Sequence, residues 1–302
     1  MSLSSELRSQ TSEACRLWNE YLRQDPTSED LIRLKFSGSE FTKPVLPFVS
    51  GDGAFALTCT RSGRFMHDDD SGTAWIMALG FGDETAMKRL IDSQLSVLRK
   101  RGVSRILCAG FTPTYFFPGI DRSAYPEIWK FMKDYGFRPG EDAIAMDKNL
   151  WPSHGLDSFS DTTGDIEVRN LARPELPALL RMLKRNFSSD YSYRAKCVGE
   201  KGERYQIKVA VEGTTILGYS MFFGAEGKRW YMPGEHFGPF GVDEAHRSRG
   251  IGTALLHQTL REMKIRGMHR AFFLWTSERA SHLYERFGFE VTRRFSVFEM
   301  KL

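Results

Sequence analysis

Two arginines and two glycines, set as Arg247-Ser248-Arg249-Gly250-Ile251-Gly252, are the residues of this sequence whose types and spacing point most directly to chemistry. Glycines two residues apart let a backbone run close to a bulky anion with no Cβ in the way. They stand between the apolar Phe240-Gly241-Val242 and a run that starts at Ile251 and carries Leu256, Leu260 and Met263 at helical spacing. A helix that begins there leaves its first N–H groups, from Ile251 through Thr253, unpaired at the positive end of its dipole. Such an end is a ready seat for a diphosphate, and Arg247 and Arg249 add full positive charge beside it. A tight turn with no ligand accounts for the glycines equally well. The run is neither the dinucleotide fingerprint nor a P-loop, because it lacks a third spaced glycine and a Gly-Lys-Ser/Thr.

The elements that would hold this loop follow in order. Gly267 stands where a helix from Ile251 to Arg266 should stop. His269 to Thr276 is a short apolar run suited to a buried strand. Ser277 to Phe289 reads as a helix closed by Gly288, and a last strand runs through Val297 and Phe298. Arg-x-x-Gly-x-Gly after a strand, followed by Ala280, Tyr284, Gly288 and Phe289 at their spacing, resembles the GNAT acetyltransferase superfamily, with Ser277 where that family has asparagine.

The resemblance implies an α/β fold, a mixed and mostly antiparallel sheet flanked by helices. It implies acetyl-CoA as acyl donor, its diphosphate held by the main chain around Arg247, Ser248, Arg249, Gly250, Ile251, Gly252 and Thr253. Phe240 and Val242 would offer main-chain groups to the pantetheine arm, and Ser277 would complete the donor site. Tyr284 would protonate the departing thiolate, a phenol of ordinary pKa ~10 being protonated at neutral pH; a tyrosine packed on a helix face is the plain alternative. The expected reaction is direct transfer, in a ternary complex, to a primary amine of a small molecule or peptide. For the general base, Glu235 and then His236 precede the bulge-prone strand, since Pro239 fits a strand only at an edge or bulge. Transfer of a longer acyl group, or acyl-CoA sensing without turnover, are the rival expectations.

Composition sets the frame. With 302 residues and a net charge of +4, the chain exceeds one ordinary domain and is only mildly basic. Between Ala245 and Arg270 six cations (Arg247, Arg249, Arg261, Lys264, Arg266, Arg270) face one acid, Glu262. A phosphorylated cofactor explains this better than nucleic acid, for which no module is recognisable. No apolar run is long enough for a membrane span, and no basic, then apolar, leader is evident. Cys15, Cys59, Cys108 and Cys197 lack metal or redox spacing, as expected of reduced thiols in the cytoplasm. The histidines give no ligand pattern, so no metal is expected, and Asp68-Asp69-Asp70-Ser71 reads as a solvated turn.

The chain repeats its plan. Arg101-Gly102-Val103-Ser104-Arg105 answers Arg266-Gly267-Met268-His269-Arg270 at an offset of 165, and Tyr135-Gly136-Phe137 answers Phe287-Gly288-Phe289 at 152. An insertion around Pro113–Ile120, holding Tyr115-Phe116-Phe117, absorbs the difference; that aromatic cluster suits packing between domains or the wall of an acceptor pocket. Where the second copy has its basic loop, the first has Gly80-Phe81-Gly82-Asp83-Glu84, whose acids would repel a diphosphate. The expectation is a degenerate domain over residues 1–150 and a catalytic domain over 164–302.

Overall fold

Apolar runs too short for helices become strands here, and the amphipathic runs between them become helices. A computed structural model describes residues 3–62, 70–151, 165–224 and 235–302. Of these, the residues within 1–144 and 293–302 make one unit, and those within 145–292 a second.

The first unit contains helices α1 (Leu3–Tyr21), α2 (Glu29–Ile32), α3 (Glu84–Lys100) and α4 (Pro126–Tyr135). Its sheet runs β1 (Thr42–Pro44), β2 (Ala54–Arg61), β3 (Thr73–Phe81), β4 (Arg105–Cys108), β12 (Glu290–Lys301) and β6 (Arg138–Asn149), with the short β5 (Ile120–Asp121) paired to β12. Strand β3 lies parallel to β4, and β12 lies antiparallel to β4 from Phe298↔Cys108 to Lys301↔Arg105. Residues 293–302, assigned with the second half on sequence, therefore count with the first unit. The reason is backbone bonding: β12 satisfies the N–H and C=O groups along one side of β4. Trp18 centres the core, its ring 5.8 Å from Phe55, 5.0 Å from Phe116 and 5.6 Å from Phe117. The Tyr115-Phe116-Phe117 cluster is thus core of the first unit itself. Asp70 also differs from expectation, pairing at 2.5 Å with the buried Arg61; Asp68 and Asp69 lie outside the described residues.

The second unit takes the last part of β6, then β7 (Ile166–Asn170), α5 (Leu176–Asn186), α6 (Ser189–Glu200), β8 (Ile207–Glu212), β9 (Thr215–Phe223), β10 (His236–Val242), α7 (Ile251–Ile265), β11 (Arg270–Thr276) and α8 (Glu278–Glu285). Its strand order is β6-β11-β10-β9-β8-β7, mostly antiparallel, with β10 and β11 parallel. One face carries α5 and α6, whose Leu179 and Leu183 pack with Val209, Tyr219 and Met221. The other carries α7, whose Ile251 and Leu255 pack with Ala210 and Leu217. Most of the linker expected at 149–163 lies outside the described residues. Among those described, no helix is long and apolar enough to cross a membrane.

Candidate active site

Strand β10 is irregular where Pro239 predicts it. Its pairing with β9 shifts between Phe237↔Phe222 and Phe240↔Ser220, one extra residue on the β10 side, with Gly238 at φ 105°. On its other edge, parallel pairing with β11 is confined to His236↔Phe272, closed by Phe272 N–H donating to the Glu235 carbonyl at 3.1 Å. Past the bulge, β10 from Phe240 to Val242 pairs, among the described residues, with β9 alone. Its opposite main-chain edge has the form that an extended ligand could pair with.

The basic loop leads from β10 into α7. Asp243 starts it: its carboxylate accepts from Ala245 N–H at 3.1 Å and from Arg185. Burial works to raise the Asp243 pKa, but these hydrogen bonds win and hold it below the ordinary aspartate value. Ser248 at φ 64° and Gly250 at φ 77° turn the chain sharply into the helix. Gly250 is the N-cap of α7 and offers no side chain to the first N–H groups, so those of Ile251, Gly252 and Thr253 point at whatever lies beyond the end. Gly252 stands beside Phe240 and Val242, where an added Cβ would make only ordinary contact, 3.4 Å from the Phe240 ring. A helix N-terminus without a side-chain cap thus lies beside this edge of β10, an arrangement that can take a diphosphate followed by an extended chain.

Tyr284 on α8 sits against both sides of the bulge, 6.0 Å from Phe237 and 6.1 Å from Phe240, with Phe273 at 4.5 Å and Phe289 at 5.6 Å. Burial pushes its phenol well above the ordinary value, and Tyr191 adds to the shift. Ser277 caps α8, its Oγ accepting from Ala280 N–H at 3.3 Å. Glu235 is half-buried at the entrance to β10, and His236 beside it packs on Phe223 and Phe272.

Sequence reasoning missed an aromatic face on the α5–α6 side. Phe187 and Tyr191 stack at 5.1 Å, and each lies 6.3 Å from Tyr219. Phe187 fills the space over Gly241, where a Cβ would meet its ring at 2.4 Å. The Tyr219 hydroxyl is buried with no hydrogen-bond partner among the described residues. Nothing in the sequence separates these aromatics from ordinary core residues.

The basic stretch from 245 to 270 is also more balanced than its local sequence suggests. Arg249 pairs with Glu212 at 2.6 Å, Arg247 with Glu244 at 3.4 Å, Arg266 with Glu262 at 2.7 Å, and Arg270 with Asp147. Glu262 also holds the buried Lys208 at 3.1 Å. The two pairs in the loop are solvent-exposed, a class that contributes little to stability and yields readily to a stronger anion.

The corresponding turn of the first unit, at Gly80–Glu84, is built differently. Asp83 caps α3, its carboxylate accepting from Thr85 N–H at 3.0 Å and Ala86 N–H at 3.3 Å. Tyr21 occupies the space at Gly82, where a Cβ would meet its hydroxyl at 2.8 Å. Side chains take the place that a phosphate would need.

Residues 203–291, from the turn before β8 to the start of β12, match the family model described as "Acetyltransferase (GNAT) domain". A search of curated proteins finds no match. Among solved structures, the chain is similar to the GCN5-related glucosamine N-acetyltransferase region of a fungal multi-domain GH3 β-N-acetylglucosaminidase, at TM-score 0.74 and 16% identity, over 96% of this chain and 37% of that one. It thus spans little more than a third of that protein's length. It is also similar to a GCN5-related N-acetyltransferase from Sphaerobacter thermophilus, at TM-score 0.68 and 17% identity, over 97% and 93% of the two chains. A tandem GNAT protein from the clavulanic acid biosynthesis pathway gives TM-score 0.63 and 14% identity, over 97% and 95%. At these identities the likeness is one of fold.

Proposed function

We propose, from a chain that carries a GNAT acetyltransferase domain over residues 203–291, that its second unit transfers an acetyl group from acetyl-CoA directly to a primary amine of a small molecule or peptide. The observation that carries this reading is the uncapped N-terminus of α7, set between the exposed Arg247 and Arg249 and the open edge of β10. A bound diphosphate would accept from the N–H groups of residues 250–253 and draw Arg249 from Glu212. The pantetheine arm would add to β10 as a strand does, bonding the main chain of Phe240 and Val242.

The donor supplies an activated thioester; the protein's own groups supply position and a proton. Tyr284, whose burial keeps the phenol protonated past the ordinary value of 10.0, would donate to the departing sulfur. Glu235 at the head of β10 is our choice of base, acting directly or through water. The acceptor would approach over Phe187, Tyr191 and Tyr219. No nucleic-acid module is recognisable in the sequence, so nucleic acid is not part of this reading. The cytoplasm, which supplies acetyl-CoA and suits the four free cysteines, is the compartment we assign.

The test is CoA release with acetyl-CoA and an amine library, for wild type and Tyr284→Phe. We expect Tyr284→Phe to lower kcat by about a hundredfold or more with acetyl-CoA affinity unchanged. Wild-type activity should persist above pH 10, since the raised phenol pKa keeps the acid form present there. Acetyl-CoA that fails to bind would end the reading; binding without turnover across the library would favour a sensor. Longer acyl-CoA esters in the same assay decide the chain length.

A further inference from the structure

Helix α5 ends against the start of the basic loop. Arg185, in its last turn, reaches the buried Asp243 carboxylate, and the Asn186 side chain accepts from Glu244 N–H at 3.4 Å. These contacts hold the end of α5 beside the turn that leads to Gly250, the N-cap of α7. The Arg185 side chain stays largely exposed while it makes its bond.

Between Leu176 and Asn186 this helix carries Arg181, Lys184 and Arg185 and no acid. All three cations are exposed. Arg181 lies four residues from Arg185 and three from Lys184, so the three share one side of the helix and repel one another. The negative end of the helix dipole favours cations in the final turn. That accounts for Lys184 and Arg185 but not for Arg181, a turn earlier. The carboxylates nearby are engaged elsewhere: Asp243 by Arg185, Glu244 by Arg247, Glu212 by Arg249, and Asp190, the first acid after α5, by Ser188 and Arg194. Among the described residues no carboxylate pairs with Arg181 or Lys184. Two neighbouring exposed cations without a partner thus stand on the helix that is tied to the proposed diphosphate loop. A second phosphate attached close to the first would answer them, and at an exposed face it needs no cavity.

We propose, on the acetyltransferase reading above, that Arg181 and Lys184 receive the ribose 3′-phosphate of the donor, so that the protein selects 3′-phosphorylated acyl-CoA over its dephospho form. A phosphate can accept from both side chains at once in charge-assisted bonds. The bare hydroxyl of a dephosphorylated ribose brings no charge to them. Because this contact lies at the end of the donor remote from the thioester, it acts on donor affinity and not on the transfer step.

Calorimetry on the full chain near neutral pH, with acetyl-CoA and 3′-dephospho-acetyl-CoA, tests this for wild type and for Arg181→Ala/Lys184→Ala. Wild type should bind acetyl-CoA about tenfold more tightly than the dephospho donor. The double variant should lose that preference through weaker binding of acetyl-CoA alone. Unchanged binding of the dephospho donor then shows that the variant is folded. Equal affinities for the two donors in wild type overturn the proposal, as does a preference that survives in the double variant. A variant that weakens both donors equally overturns it too, because that marks the general field of the surface and not a contact with the 3′-phosphate. If wild type binds neither donor, the acetyltransferase reading falls and takes this assignment with it. If it binds both alike, this assignment falls alone.

Discussion

Tyr219 carries a hydroxyl that folding buries and leaves without a partner among the described residues. An unsatisfied buried hydroxyl costs about 1–3 kcal/mol, so it is kept against the interest of stability. Tyr219→Phe should therefore stabilise the protein by about 1 kcal/mol in urea unfolding. If the hydroxyl meets the acceptor amine, the same change raises KM for the acceptor and leaves acetyl-CoA affinity alone. The thiols behave in the opposite way: burial pushes Cys59 and Cys108 far up, leaving them protonated and unreactive. The place of Tyr284 on α8 could be read in the sequence because Ala280, Gly288 and Phe289 fix it by spacing; its role as acid is our proposal. The stacking of Phe187 and Tyr191 beside Tyr219 could not be read, since an aromatic ring on a buried strand or helix carries no mark of its tertiary neighbours.

On the proposed reading, the loop–helix junction at 243–252 is the element on which donor binding turns. Gly250 at φ 77° has a conformation that costs an L side chain about 1–2 kcal/mol. Gly250→Ala should lower the melting temperature and, by distorting the first turn of α7, weaken acetyl-CoA binding measured by calorimetry. Asp243 anchors the other end of the loop. Its folded pKa lies below the ordinary 3.8, so its contribution is complete above pH 3.8 and disappears as pH falls through the lower folded value. Asp243→Asn should lose about 1–2 kcal/mol at neutral pH, and the gap from wild type should close on acidification below pH 3.8. The helix α7, the bulge at Pro239 and the cap at Gly288 could all be read beforehand, because glycine, proline and helical spacing act locally. The carboxylates that answer Arg249 and Arg270 could not: Glu212 and Asp147 are distant in sequence and are brought near by strand order.

For the molecule as a whole, the tandem plan was legible in the paired R-G-x-x-R and aromatic-Gly-Phe signatures, but the ownership of residues 293–302 was not. A strand's partner is chosen by backbone hydrogen bonds, which sequence composition does not record. Without those residues β4 would bare an unpaired edge, a site of aggregation, and Asp25 and Asp121 would lose Arg293. A fragment of residues 1–149 should therefore be insoluble or unfolded by circular dichroism. Adding a peptide of residues 290–302 in trans should restore its ordered spectrum; a soluble, folded fragment without the peptide would contradict the arrangement.

The ribosome makes the first unit's helices early and its strand at 293–301 late. At ~5–20 residues per second, the stretch between them takes roughly ten to thirty seconds to emerge. Throughout that interval the older half of the nascent polypeptide waits with a gap in its sheet. The portion translated first is the portion that matures last, and a premature stop shortly before residue 293 would injure the oldest fold rather than the newest.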